Sequence, residues 1–242
     1  LFPEKKIISD KNTKNCSALD VNWKRVLHMK SYNTETASQV AEFLLQIKAV
    51  KLQPDTPFTW ASGWKSPIYC DNRKTLSYPK VRTYIRQQYI NSILEKFGKP
   101  DVIAGVATGG IALGALVAQD MGLPFVYVRS EAKKHGLSNV IEGVVESGQS
   151  VVVIEDLIST GGSSLKAVEA LRAAGCNVKG MVAIFTYGFK VANDNFRKAK
   201  CSVTTLCDYS ILIKQAVKSN YITENDLKSL EEWRENPEEW KQ

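Results

Sequence analysis

The stretch that most limits what this chain can fold into is SVVVIEDLISTGGSSL, residues 150–165. Val151, Val152, Val153 and Ile154 are apolar and β-branched on consecutive positions. A strand with one wet face would alternate, so this run requires burial on both faces, as in a parallel sheet covered by helices on each side. Two adjacent acids follow, Glu155 and Asp156, then hydroxyls and glycines that open the helical pattern SSLKAVEALRAAG, then a second apolar run, VKGMVAIFTY, over 178–187. Strand, helix and strand in that order predict an α/β fold with a central parallel sheet flanked by helices.

The rest of the chain keeps this alternation. Pro79 opens a helix whose apolar positions Val81, Ile85, Tyr89, Ile93 and Phe97 recur at every fourth residue, with Gly98 as its stop. A short strand, Val102 to Val106, enters a glycine-rich turn, the helix IALGALVAQDMG, the strand PFVYVR at 124–129 and a polar segment. Upstream, Thr34 or Thr36 precedes the helical pattern Val40, Phe43, Leu44, Ile47. Two short helices are expected at the C-terminus, one near 209–219 and one after Thr223, where Asp226 has capping-box spacing and Pro237 is the stop. Residues 1–28 are polar and basic without helical periodicity, and they lack the apolar stretch of a secretory signal. They read as a disordered or extraneous extension, with Met29 as the expected native start.

Composition narrows the function classes. The net charge is +7, of which residues 1–28 hold +3, leaving +4 for the remaining residues. That excess suits an enzyme of polyanionic small molecules better than a nucleic-acid binder, whose basic residues cluster more strongly. No apolar run approaches the roughly 20 residues of a membrane span. The five cysteines are an odd number without a C-x-x-C pair, which reads as reduced thiols in a cytoplasmic protein. His28 and His135 are the only histidines, so a multi-histidine metal site is excluded.

In open parallel sheets ligands sit beyond the carboxyl ends of the strands. After the strand at 150–156, the amides of residues 159–163 at a helix N-terminus can cradle a phosphate, approached closely over Gly161 and Gly162. Ser159, Thr160 and Ser163 add hydroxyl donors, and Glu155 and Asp156 can accept hydrogen bonds from vicinal ribose hydroxyls. The segment fits neither the P-loop nor the dinucleotide fingerprint. A merely structural turn is disfavoured, because two adjacent acids at the end of an apolar strand are costly without a ligand or cation.

The segment 151–165 resembles the signature with which type I phosphoribosyltransferases bind phosphoribosyl pyrophosphate (PRPP). The resemblance implies PRPP contacts from Glu155, Asp156, Leu157, Ile158, Ser159, Thr160, Gly161, Gly162 and Ser163. The turn GVATGGIALG, 105–114, is similar to that family's pyrophosphate loop. VRSEAKKHGLSNVIEG, 128–143, resembles the mobile catalytic loop of the orotate phosphoribosyltransferases, which implies that Arg129, Lys133 and His135 serve as catalytic groups on the diphosphate. Some members carry a second lysine directly after the arginine; Ser130 stands there in this chain, and no role passes to Lys134.

The base is indicated by FTWASGWKSPIYCDNRKTLSYPKVR, 58–82, which resembles the orotate enzymes' F-x-x-x-S-G-x-x-S-P-x-Y-x-D-x-R followed by S-x-P-x-x-R. In that family the segment forms a hood over the base, so Ser66, Tyr69 and Asp71 are expected in its wall, and Ser159 is a further orotate contact. Arg73 either braces the hood by a salt bridge or reaches the substrate carboxylate. Some relatives place an arginine after the last core strand for that carboxylate; this chain has TYGFK. The resemblance spans roughly 35–215, and the tail is similar to the extension of a bacterial subgroup. It implies a hood over about 29–78, a core over about 79–207 and a helical extension over about 208–242. It also implies transfer of phosphoribosyl from PRPP to orotate, Mg²⁺ carried mainly by PRPP rather than by a protein metal site, and a homodimer with shared sites. A purine or xanthine phosphoribosyltransferase shares only the PRPP signature, and a non-catalytic PRPP-binding regulator would need a DNA-binding module that residues 1–34 lack.

Overall fold

A computed structural model describes residues 29–60, 63–130 and 140–241. In chain order the strands are β1 (Lys30–Ser31), β2 (Val50–Leu52), β3 (Phe58–Thr59), β4 (Lys65–Ser66), β5 (Ile68–Cys70), β6 (Val102–Val106), β7 (Phe125–Val128), β8 (Ile141–Glu142), β9 (Ser150–Ile158), β10 (Asn177–Thr186) and β11 (Val203–Asp208). The helices are α1 (Thr34–Gln46), α2 (Pro79–Phe97), α3 (Gly109–Met121), α4 (Gly162–Ala173), α5 (Lys190–Lys198), α6 (Tyr209–Lys218) and α7 (Glu224–Glu235), with a 3₁₀ turn at Asn72–Ser77.

Seven strands form one sheet in the order β1-β11-β10-β9-β6-β7-β8. All pairings are parallel except β7 with β8. The continuous apolar run of β9 places it at the centre, as its composition requires. One face packs Val152, Ile154, Val182 and Ile184 against α1, α2, α3, α6 and α7. The other packs Val151, Val153, Met181 and Ala183 against α4 and α5. In α2 the expected stripe is on the inner face: Val81, Ile85, Tyr89 and Ile93 are buried, and Gly98 ends the helix at φ +69°. Among the described residues no helix is long and apolar enough to cross a membrane.

Two details differ from the sequence expectation. The N-cap of α1 is Asn33, whose Oδ1 accepts from Thr36 N at 2.7 Å, so Thr34 is the first helical residue rather than the cap. Asparagine is as good an N-cap as serine, and Thr36 is instead buried within the first turn. Strand β9 does not end at Asp156 but runs to Ile158, because β10 continues beside it and pairs Phe185 with Leu157 and Thr186 with Ile158. The expected capping box is present in α7, where Asp226 accepts from Thr223 N at 2.8 Å.

Two antiparallel hairpin pairs, β2 with β5 and β3 with β4, lie outside the large sheet. They are pinned by rings. Trp233 of α7 is fully buried and meets Trp60, Tyr187, Phe189 and Tyr209 with centroid distances of 5.5–5.7 Å. Its indole donates to Lys65 O at 3.2 Å. The C-terminal helix thus clamps the β3–β4 hairpin onto the end of β10. Trp233→Ala should lower the unfolding free energy by about 3–5 kcal/mol, the usual range for emptying a large aromatic site. Urea unfolding measures it, and a loss well under about 1 kcal/mol would contradict this packing role.

Candidate active site

The chemistry-bearing residues converge where β6 leaves β9. The β6 ladder on β9 stops at Gly105 paired with Ile154, while the β10 ladder continues to Ile158. Glu155 and Asp156 therefore occupy the fork, beside the turn 107–109 that opens α3. Their side chains point to opposite faces, as strand alternation dictates.

Glu155 turns toward α4 and is 4% exposed. Its Oε2 accepts from Ser164 Oγ at 2.7 Å and its Oε1 from Asp156 N at 3.0 Å. Burial, reinforced by the charge of Asp156 and opposed by the Ser164 hydrogen bond, pushes its carboxyl from 4.5 up to about 8. A proton held more tightly in the folded than in the unfolded chain makes the fold lose stability as pH rises from about 4.5 to about 8. Glu155→Gln removes that titration. Urea unfolding at about pH 5 and about pH 8.5 should show a smaller fall for the variant than for the wild-type chain, and equal falls would contradict the assignment.

Asp156 turns to the other face, against the turn at Gly109. A Cβ at Gly109 would fall on the Asp156 carboxylate, and one at Gly110 would fall on Ile154 O. Glycine is required at both positions by this close approach rather than by φ. The turn carries a cis peptide between Ala107 and Thr108, and Ala107 N donates to Val128 O at 2.9 Å, which ties it to β7.

The carbonyls of both acids are held by side chains from other elements. Tyr89 of α2 donates its hydroxyl to Glu155 O at 2.6 Å, and Asn72 donates Nδ2 to Asp156 O at 2.7 Å. Asn72 Oδ1 accepts from the Cys70 thiol at 3.2 Å. Burial, with the charges of Asp156 and Asp71, pushes that thiol well up, so it stays protonated. Sequence reasoning passed over both residues. Tyr89 has a usable signal, a hydroxyl in an otherwise apolar stripe; Asn72 does not, because its partner is a backbone atom.

The turn after β9 supplies a helix N-terminus. Gly161 caps α4 at φ +82°, and a Cβ there would press on the Phe196 ring, whereas Gly162 faces open space. The first helical bond at this end runs from Leu165 N to Gly161 O, so the amides of 162–164 precede it and point outward. Ser159 is half-buried, and Thr160 and Ser163 are exposed. Thr160 O is held by Asn195 Nδ2 at 3.0 Å. Leu157 is half-buried within the strand. Ile158 is fully buried, and its carbonyl accepts from Thr186 Oγ1 and Tyr187 N, so its side chain belongs to the core.

The residues expected in the hood divide. Ser66 is buried and bonds Ile68 through both O and N, bracing the turn from within. Tyr69 is 42% exposed. Asp71 Oδ1 accepts from Arg73 Nε at 2.7 Å, which holds the Asp71 carboxyl below its ordinary value. Arg129 follows β7, with its N–H on Val140 O at 2.8 Å and its guanidinium 3.4 Å from Glu142. Lys133, Lys134, His135 and His28 lie outside the described residues, as do residues 1–28. Tyr187 and Phe189 of TYGFK are buried in the Trp233 ring cluster.

A family model described as a phosphoribosyl transferase domain matches residues 76–213. An orotate phosphoribosyltransferase of Phocaeicola vulgatus is 61% identical over 200 residues, covering 83% of this chain and 94% of its own length. Among solved structures, orotate phosphoribosyltransferase from Aeropyrum pernix matches with a TM-score of 0.67 and 26% identity, over 76% of this chain and 99% of that one. The UMP synthase of Leishmania donovani matches with a TM-score of 0.69 and 26% identity over 82% of this chain, which spans 42% of that longer protein.

Proposed function

Because this chain belongs to the phosphoribosyl transferase family, among its orotate phosphoribosyltransferases, we propose that it transfers the 5-phosphoribosyl group from PRPP to orotate. The products are orotidine 5′-monophosphate and pyrophosphate, in the synthesis of pyrimidine nucleotides. The observation that carries this reading is the Asn72 to Asp156 hydrogen bond, which joins the base-type segment 58–82 to the ribose-type acids in one site.

The base nitrogen attacks C1′ as the bond from C1′ to the diphosphate oxygen breaks, through a transition state with oxocarbenium character and without a covalent enzyme intermediate. The amides of 162–164 hold the 5′-phosphate. Asp156 orients the ribose hydroxyls from its place against Gly109, while Glu155, with its oxygens on Ser164 Oγ and Asp156 N, braces the end of β9, and Tyr89 and Asn72 hold the two carbonyls. Arg129, Lys133 and His135 meet the charge gathering on the departing diphosphate.

Among the described residues no three histidine, cysteine or acidic side chains group as a metal site. The Asp156 carboxylate is nevertheless a hard oxygen donor of the kind Mg²⁺ takes singly alongside substrate phosphates, so the residues fit an ion carried by PRPP. That ion would neutralise charge on the diphosphate. We assign the working unit as a cytoplasmic homodimer in which the segment bearing Lys133 serves the partner's site. Purified protein given orotate, PRPP and Mg²⁺ should consume orotate absorbance, and omission of PRPP or chelation of Mg²⁺ should stop it. Consumption without PRPP would refute the reading.

A further inference from the structure

Between the exposed Tyr69 and the buried Asn72, the hood places one ion pair at the mouth of the site. Asn72 fixes this stretch to the backbone of Asp156, so its neighbour Arg73 is carried to the same place. The Arg73 guanidinium is held charged first by Asp71, with lesser contributions from the charges of Asp156 and Tyr69. Arg73 remains 60% exposed, and among the described residues only its Nε is engaged, on Asp71 at 2.7 Å. A guanidinium has two usable edges; with Nε committed to Asp71, the Nη1 and Nη2 groups form a fork of fixed orientation that matches a planar carboxylate.

Other cations are placed less well. Where an arginine could follow β10, Tyr187 and Phe189 are buried among rings. Lys190 and Arg234 line a cavity of about 210 Å³ with Trp64 and Thr160, but Arg234 is bonded to Ser210 Oγ at 2.6 Å and Glu235 at 2.9 Å.

We propose that Arg73 is the specificity residue for the base, gripping the orotate carboxylate through Nη1 and Nη2 while Asp71 holds Nε. This rests on the orotate reading above, which wild-type turnover of orotate tests separately. The probe pair is orotidine 5′-monophosphate and uridine 5′-monophosphate, which differ only by that carboxylate, titrated calorimetrically alongside PRPP with Mg²⁺. In Arg73→Gln the affinity for orotidine monophosphate should fall at least about tenfold, the scale of a lost charge-assisted contact, with uridine monophosphate and PRPP within about twofold. Arg73→Lys should restore part of the loss. Equal weakening of both nucleotides together with PRPP would overturn the proposal by assigning the fork to phosphates. No change in any ligand would leave Arg73 as a hood brace and also overturn it. So would loss of the difference between the nucleotides in Lys190→Gln or Arg234→Gln but not in Arg73→Gln.

Discussion

Lys133→Ala should lower kcat by at least about a hundredfold while the fold and the affinity for orotate are retained, because one transition-state electrostatic contact is worth about that much. The departing diphosphate gains charge as its bond to C1′ breaks, and a lysine that meets it then stabilises the transition state more than the ground state. The loss should therefore appear in kcat more than in KM. An unchanged kcat would reduce the basic segment to a solvated loop. The same variant tests the shared site. Mixed with Asp156→Asn subunits, it gives hybrid dimers in which one site carries both lesions and the other neither. Activity per hybrid should then approach half of the wild-type value. Demonstrated subunit exchange without any return of activity would mean that Lys133 serves its own chain.

Gly109→Ala should cost at least about a hundredfold in kcat/KM for PRPP, although it adds a single methyl group. That methyl falls on the Asp156 carboxylate, the mobile end of a side chain, so the fold can survive by moving the carboxylate away from the place proposed for the ribose hydroxyls. Gly110→Ala differs in kind, because its methyl meets the backbone carbonyl of Ile154 and must move a central strand. The first variant should melt near the wild-type temperature and fail in catalysis. The second should lose stability as well. Wild-type kinetics in Gly109→Ala would show that Asp156 does not need its observed position.

How far the sequence discloses this architecture depends on where each residue finds its partner. Strand β9 and helix α2 are legible because their signals are local: an unbroken β-branched run in one, a four-residue apolar period closed by Gly98 in the other. The extension of β9 past its acids is not legible, since what holds Leu157 and Ile158 extended is the neighbouring ladder of β10 rather than their own composition. Glu155 and Asp156 read in sequence as an adjacent pair that calls for a ligand or cation. Their separation onto two faces follows only from seeing Ser164 above one and Gly109 beside the other, and the raised carboxyl of Glu155 follows from its burial in the folded chain. TYGFK reads in sequence as a missing cation; in the fold, Tyr187 and Phe189 join Trp60 and Trp233 to seat the β3–β4 hairpin. That role depends on the C-terminal helix α7 and leaves no local trace. Asn72 is the sharpest case, because its partner is a carbonyl 84 positions away, and backbone atoms carry no sequence signal.

The central claim is that one site joins PRPP chemistry to a carboxylated pyrimidine. It is tested most directly by offering the protein PRPP and Mg²⁺ with orotate, uracil, adenine, hypoxanthine or xanthine in parallel and measuring pyrophosphate release. Orotate should support release by a margin of at least about a hundredfold over every other base, the scale at which a site built for a charged substituent rejects its lack. Release with a purine base and none with orotate would contradict the account.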